Sequence, residues 1–107
     1  MPATIRPDSG LTTLINIFAV EPDNRDRLVA LLKAGTDEWI SKVPGFVSST
    51  LHISRDGRRV VIYGQWRDAE SIAAMRQSPQ MPPYVERVRQ LAQMEAVTCD
   101  VSSVVLG

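Results

Sequence analysis

The sequence predicts an α+β fold in which a four-stranded antiparallel sheet carries helices on one face. Three observations lead there. Asp56-Gly57 sits between two runs that alternate in polarity, residues 46–54 and 59–66. A two-residue hairpin turn needs positive φ at both central positions, and Asp-Gly supplies it at low steric cost. Residues 12–20 form an apolar run with Leu14, Ile15, Ile17, Phe18 and Val20 on both alternating faces, the pattern of a strand covered on both sides. Apolar residues recur at helical spacing both before the hairpin and after it.

Taken in order, residues 1–10 are rich in Pro, Asp and Gly and read as a loose N-terminal arm, with the domain proper over 11–107. The first strand follows, with Asn16 as its one polar interruption. Pro22 and Asp23 open a helix, since Pro is tolerated in a first turn. Leu28, Leu31, Leu32, Gly35 and Trp39 share one stripe of that helix. Gly35 costs helix propensity, so close approach of another element is the expected reason for it. Val43-Pro44-Gly45 ends the helix, because Pro disfavours the α region for its predecessor.

Two strands then flank the turn. After them Asp68 fits an N-cap, with Glu70 in the first turn where the helix dipole favours a carboxylate. The helix expected over 69–77 turns Ile72, Ala73 and Met75 inward, and Ser78-Pro79 breaks it. Pro82-Pro83 starts another, with Tyr84, Val85, Val88, Leu91 and Ala92 inward. A last strand is expected over 95–105, with Val97, Cys99, Val101 and Val105 alternating against Thr98, Asp100 and Ser102. Strand, helix, strand, strand, broken helix, strand is the split βαβ order of the ferredoxin-like class.

A chain of 107 residues supports one core. Twelve basic and twelve acidic side chains cancel, and no like-charge run suggests nucleic acid as a partner. The N-terminus shows no signal-peptide pattern, no apolar run reaches membrane-spanning length, and the lone Cys99 suits a reducing compartment. The expectation is a soluble cytoplasmic protein. If Leu14, Asn16 and Phe18 face the helices, then Ile15, Ile17, Val61 and Tyr63 face away from them. So large a bare apolar face predicts a homodimer pairing sheet against sheet.

Phosphate loops, nucleophile elbows and metal-ligand clusters are absent from the sequence. His52 alternates onto the same face as Phe46 and Thr50 and reads as a packed or interface histidine; Cys99 reads as core. What remains is polar groups aimed between sheet and helices: Asn16, Trp66, Tyr84 and one of Arg87 or Arg89. Around them Leu14, Phe18, Leu51, Ile62, Ile72 and Met75 would line an apolar pocket with few fixed donors, the make-up of a small-molecule site. The competing reading keeps Trp66 as a core indole and Asn16 as an amide bonded to backbone.

The run from Glu38 to Trp66, EWI-x-x-VPGF-x-S-x-T-x-H-x-S-x-DG-x-x-VV-x-Y-x-QW, resembles the antibiotic biosynthesis monooxygenase family of dimeric α/β barrels. Within it, the likeness is nearest to the actinorhodin-type, cofactor-independent polyketide monooxygenases, and it extends over residues 14–101. The resemblance implies oxidation of an electron-rich phenol, quinol or anthrone-like ring by O2 without flavin, haem or metal. It implies Trp66 and Asn16 as the catalytic pair and an arginine of the last helix, Arg87 or Arg89, near the phenolate. Tyr84, Phe18, Leu51, Ile62 and Ile72 complete the implied substrate-binding set. Ile62 stands where those enzymes carry an Asn, and Leu51 and Ile72 where they carry tyrosines, so a smaller or more apolar quinol is one implied substrate. The haem-degrading branch of the superfamily shares Asn16 and Trp66, but its helical histidine has no counterpart in residues 78–84. A non-catalytic ligand-binding dimer is the third reading.

Overall fold

The computed structural model describes residues 3–6 and 10–107. Strand β1 (Thr12–Val20) leads into helix α1 (Pro22–Glu38), a 3-10 turn (Ile40–Lys42) and the hairpin of β2 (Phe46–Ile53) and β3 (Arg59–Trp66). Helices α2 (Ala69–Arg76) and α3 (Met81–Leu91) follow, then β4 (Ala92–Cys99). The strands lie in the order β2-β3-β1-β4, and every neighbouring pair is antiparallel. This is the split βαβ sheet read from the sequence. Of the expected N-terminal arm, residues 1, 2 and 7–9 lie outside the described residues.

The hairpin turns where expected but in another form: Gly57 has φ +72° while Asp56 does not have positive φ, and the Gly57 N–H donates to the Ser54 carbonyl, with the Asp56 carboxylate accepting from the Arg58 N–H and the Ser54 hydroxyl. Other local expectations hold for the expected reasons. Asp68 caps α2: its carboxylate accepts from the Ser71 N–H at 2.8 Å and the Ser71 hydroxyl at 2.7 Å. Both bonds favour the charged form, the side-chain bond most, and hold the carboxyl below the usual 3.8. The element approaching Gly35 is α3, for a Cβ there would overlap the Tyr84 ring.

Four further expectations are corrected. The last strand starts at Ala92, not 95, because α3 passes into it without a loop. It stops at Cys99, which pairs with Thr13, because β1 has almost no residues left to pair beyond that point. Val97, opposite Ile15, therefore lies on the face away from the helices at 42% exposure, and Val105 is 91% exposed. Ala73 is exposed; Ser71, held by the cap, is buried with Ile72 and Met75 instead. Phe46 does not share a face with His52, because β2 carries an extra residue. Phe46 pairs with Trp66 and Ser48 with Gln65, so Val47 is a bulge that reverses the alternation.

The helix-covered layer holds two hydrophobic clusters. Phe18, Val20, Leu28, Leu32, Val60 and Val88 form one; Leu14, Trp39, Trp66, Ile72 and Met75 form the other. Tyr84 packs against both. On the opposite face Gln65 is buried, accepting from the Ser48 hydroxyl and donating to the Thr4 carbonyl, each at 2.7 Å. Among the described residues, no helix is long and apolar enough to cross a membrane.

Candidate active site

Between the two clusters lies a cavity of about 380 Å³. Its floor is the sheet, where alternation delivers Leu14, Asn16 and Phe18 from β1, Ile62, Gly64 and Trp66 from β3, and Met94 and Ala96 from β4. Asn16 is central on this floor, flanked across the strands by Ile62 on one side and Ala96 on the other. The roof is helical: Thr36 from α1, Met75 and Arg76 from α2, and Met81, Tyr84, Val88 and Arg89 from α3. The volume falls within the roughly 300–1,000 Å³ of small-ligand sites, and the lining is mostly apolar with a few polar groups, as such sites are.

Trp66 is only 2% exposed and is braced edge-on by Phe46, with ring centroids 5.4 Å apart at 90°. The indole folds back along β3 over Gly64. A Cβ on Gly64 would stand 3.4 Å from the indole nitrogen, so the glycine leaves the space beside that N–H open. Among the described residues, neither the Trp66 N–H nor the Asn16 amide has a hydrogen-bond partner, yet neither is sealed from the cavity. Open to the cavity and without a protein partner, both are free to bond a ligand there. Tyr84 stands over them, held edge-on to Trp39 at 5.8 Å. Burial pushes its hydroxyl up to about 12, so it is a neutral phenol at physiological pH.

Of the residues the sequence singled out, Asn16, Phe18, Ile62, Trp66, Tyr84 and Arg89 meet on this cavity. Three do not. Leu51 packs into the cluster around Phe18, Ile72 is buried with Leu14 and Met75, and Arg87 is exposed off the wall. Phe46, Ser49, Thr36, Arg76, Met81 and Met94 line it without having been singled out. The bulge at Val47 hid Phe46, whereas Ser49, two residues from Leu51 on the same face, and Met81, next to the Pro82-Pro83 signal, were within reach of the sequence. The chain's histidine, His52, is opposite Val61 on the far face and exposed, so it cannot ligate a haem in this cavity. No group of three His, Cys, Asp or Glu side chains gathers into a metal site among the described residues.

Comparison with known proteins agrees with this geometry. The family model for antibiotic biosynthesis monooxygenase matches residues 12–87. The chain is 39% identical over 100 residues to tetracenomycin-F1 monooxygenase of Streptomyces glaucescens, covering 94% of this chain and 89% of that protein. It superposes on the monooxygenase ActVA-Orf6 of Streptomyces coelicolor, solved with nanaomycin D, with a TM-score of 0.80 and 30% identity. That match covers 90% of this chain and 91% of the other. SnoaB, a cofactor-independent oxygenase from Streptomyces nogalater, shares the fold with a TM-score of 0.75 at 23% identity, over 90% of this chain and 97% of that one. The chain belongs to the antibiotic biosynthesis monooxygenase family.

Proposed function

We propose that the protein is a cofactor-independent monooxygenase that oxidises an electron-rich aromatic, a phenol, quinol or anthrone of polyketide type, with O2. The observation that carries this reading is the pair of unpartnered donors, the Trp66 N–H and the Asn16 amide, opening into an otherwise apolar cavity. In such a reaction the ring supplies the electrons. Deprotonation gives a phenolate or carbanion that reduces O2 and bonds one oxygen atom. For an anthrone, CH2 becomes C=O, and the second oxygen leaves as water with the two hydrogens.

The protein's part is electrostatic and steric. Donors already aimed at the substrate oxygen stabilise the anion without reorganising, which lowers the barrier to its formation. The Arg89 guanidinium adds positive charge at the cavity wall. Trp66, Phe18 and Ile62 enclose the ring and keep water from reactive intermediates. Tyr84, neutral below about 12, serves as a hydrogen-bonding phenol and not as the base. Two copies pair through the sheet face bearing Ile15, Ile17, Val61 and Tyr63, the work being done in the cytoplasm.

Oxygen uptake tests the reading. With dithranol or a menadiol-type quinol and no added cofactor, the purified protein is expected to consume O2 well above the uncatalysed rate. Trp66→Phe and Asn16→Ala are each expected to slow it by roughly tenfold to a hundredfold, the scale of removing one oriented donor. Uptake at the background rate across a panel of anthrones and hydroquinones would overturn the assignment.

A further inference from the structure

The cavity wall carries two charged side chains, Arg76 and Arg89, and no Asp or Glu. They are attached at opposite ends. Arg76 follows Met75, which packs with Leu14 and Trp66; Arg89 follows Val88, which packs with Phe18 and Val60. Leu14 and Phe18 are four residues apart on β1, about 13 Å at ~3.3 Å per residue. Both residues are exposed, and, like several other basic side chains of the chain, neither has an ion-pair or hydrogen-bond partner among the described residues; what sets these two apart is that they share one cavity. Because the whole chain is neutral, two unmatched cations on one wall are a local excess.

Low-dielectric walls strengthen such charges and favour a ligand of opposite sign. A guanidinium suits a planar oxyanion best. We propose that the substrate is an elongated fused-ring aromatic bearing an anionic oxygen group at each end, one taken by Arg89 and the other by Arg76. The inference deepens the reaction proposed above and rests on it for the aromatic character of the ligand. A purely structural role competes with it: both arginines lie in the last turn of their helices, where a cation suits the dipole. That role predicts changes in stability without any change in charge discrimination.

Titration of three already oxidised probes separates the two. The probes are anthraquinone-2,6-dicarboxylate, anthraquinone-2-carboxylate and 2-(hydroxymethyl)anthraquinone, with quenching of tryptophan fluorescence as the readout. Affinity is expected to fall in that order by roughly twofold to fivefold per carboxylate lost, the scale of an exposed ion pair, and the steps should shrink with added salt. Arg76→Gln and Arg89→Gln should each remove about one step for the diacid and leave the neutral probe unchanged, with Arg76→Lys recovering part of the loss. Equal affinity for diacid and neutral probe, equal weakening of all three by the variants, or no binding of any would overturn the proposal. Since quinones are not turned over, the two readings fail separately. Oxygen uptake without acid preference sinks the charge pairing alone; acid preference without oxygen uptake sinks the reaction alone.

Discussion

The two hydrophobic clusters beneath the helices draw on different residues and end differently. Around Phe18, the branched aliphatics Leu28, Leu32, Val60 and Val88 are buried to 1% exposure or less and fill the layer. Around Leu14, the span is bridged by Trp39, Trp66 and Met75, large or flexible groups whose shapes leave a trough between the clusters. Small stiff side chains close a layer, whereas flat rings propped edge to face hold one open. The aliphatic cluster secures the fold, and the ligand space lies between it and the propped rings.

Breaking the closed end should have the largest effect. Leu32→Ala removes a fully buried side chain and should cost about 2–5 kcal/mol in urea unfolding. At the open end the balance reverses. Trp66→Phe should lower kcat by roughly tenfold to a hundredfold, about 1.4–2.7 kcal/mol, with a smaller shift in the unfolding midpoint than Leu32→Ala gives. Between the two, Gly35→Ala drives a methyl into the Tyr84 ring that joins both clusters, and should cost about 1–3 kcal/mol in unfolding.

Two finer tests sharpen the contrast. Asn16→Leu removes an amide that has no partner, so the melting temperature should hold or rise while oxygen uptake falls. A lower melting temperature would mean that the amide supports the fold. The smallest effects are in pH dependence. The folded-state value of Tyr84 is raised, so its contribution to stability is complete below 10.0 and lost as pH rises through about 12. Tyr84→Phe should therefore leave the rate profile unchanged below pH 9. For Asp68 the sign is opposite: its value is lowered, so the contribution is present above 3.8 and lost as pH falls through the folded value. Asp68→Ala should depress the melting temperature at pH 7 and much less near pH 2.

Much of this was legible in the sequence because it depends on local chemistry. The Asp56-Gly57 turn and the Asp68 cap each meet a steric or hydrogen-bonding demand within a few residues, and the glycine at 35, set against helix propensity, signals a close approach whose partner, Tyr84, only the fold supplies. Asn16 and Trp66 were found because strict alternation carries β1 and β3 across the layer. The closing strand was misplaced because its ends depend on how many residues β1 offers for pairing, which no property of residues 92–105 encodes. Leu51 and Ile72 face the correct side of the sheet or helix but belong to the filled clusters. Separating wall from filling requires the spacing between elements, a tertiary quantity. Arg76, which no motif or periodicity singled out, is placed by the cavity beside it.

The extra residue in β2 has an evolutionary consequence. Phe46 reaches the indole only because Val47 is left out of the ladder. Taking that residue back into the ladder would turn the strand's start over and swap an aromatic buttress for a solvent-facing ring, whereas deleting it would leave Phe46 opposite Trp66 in a regular strand. A relative whose strand runs straight through an equally long segment is thus expected to diverge in reactivity more than its point substitutions would suggest.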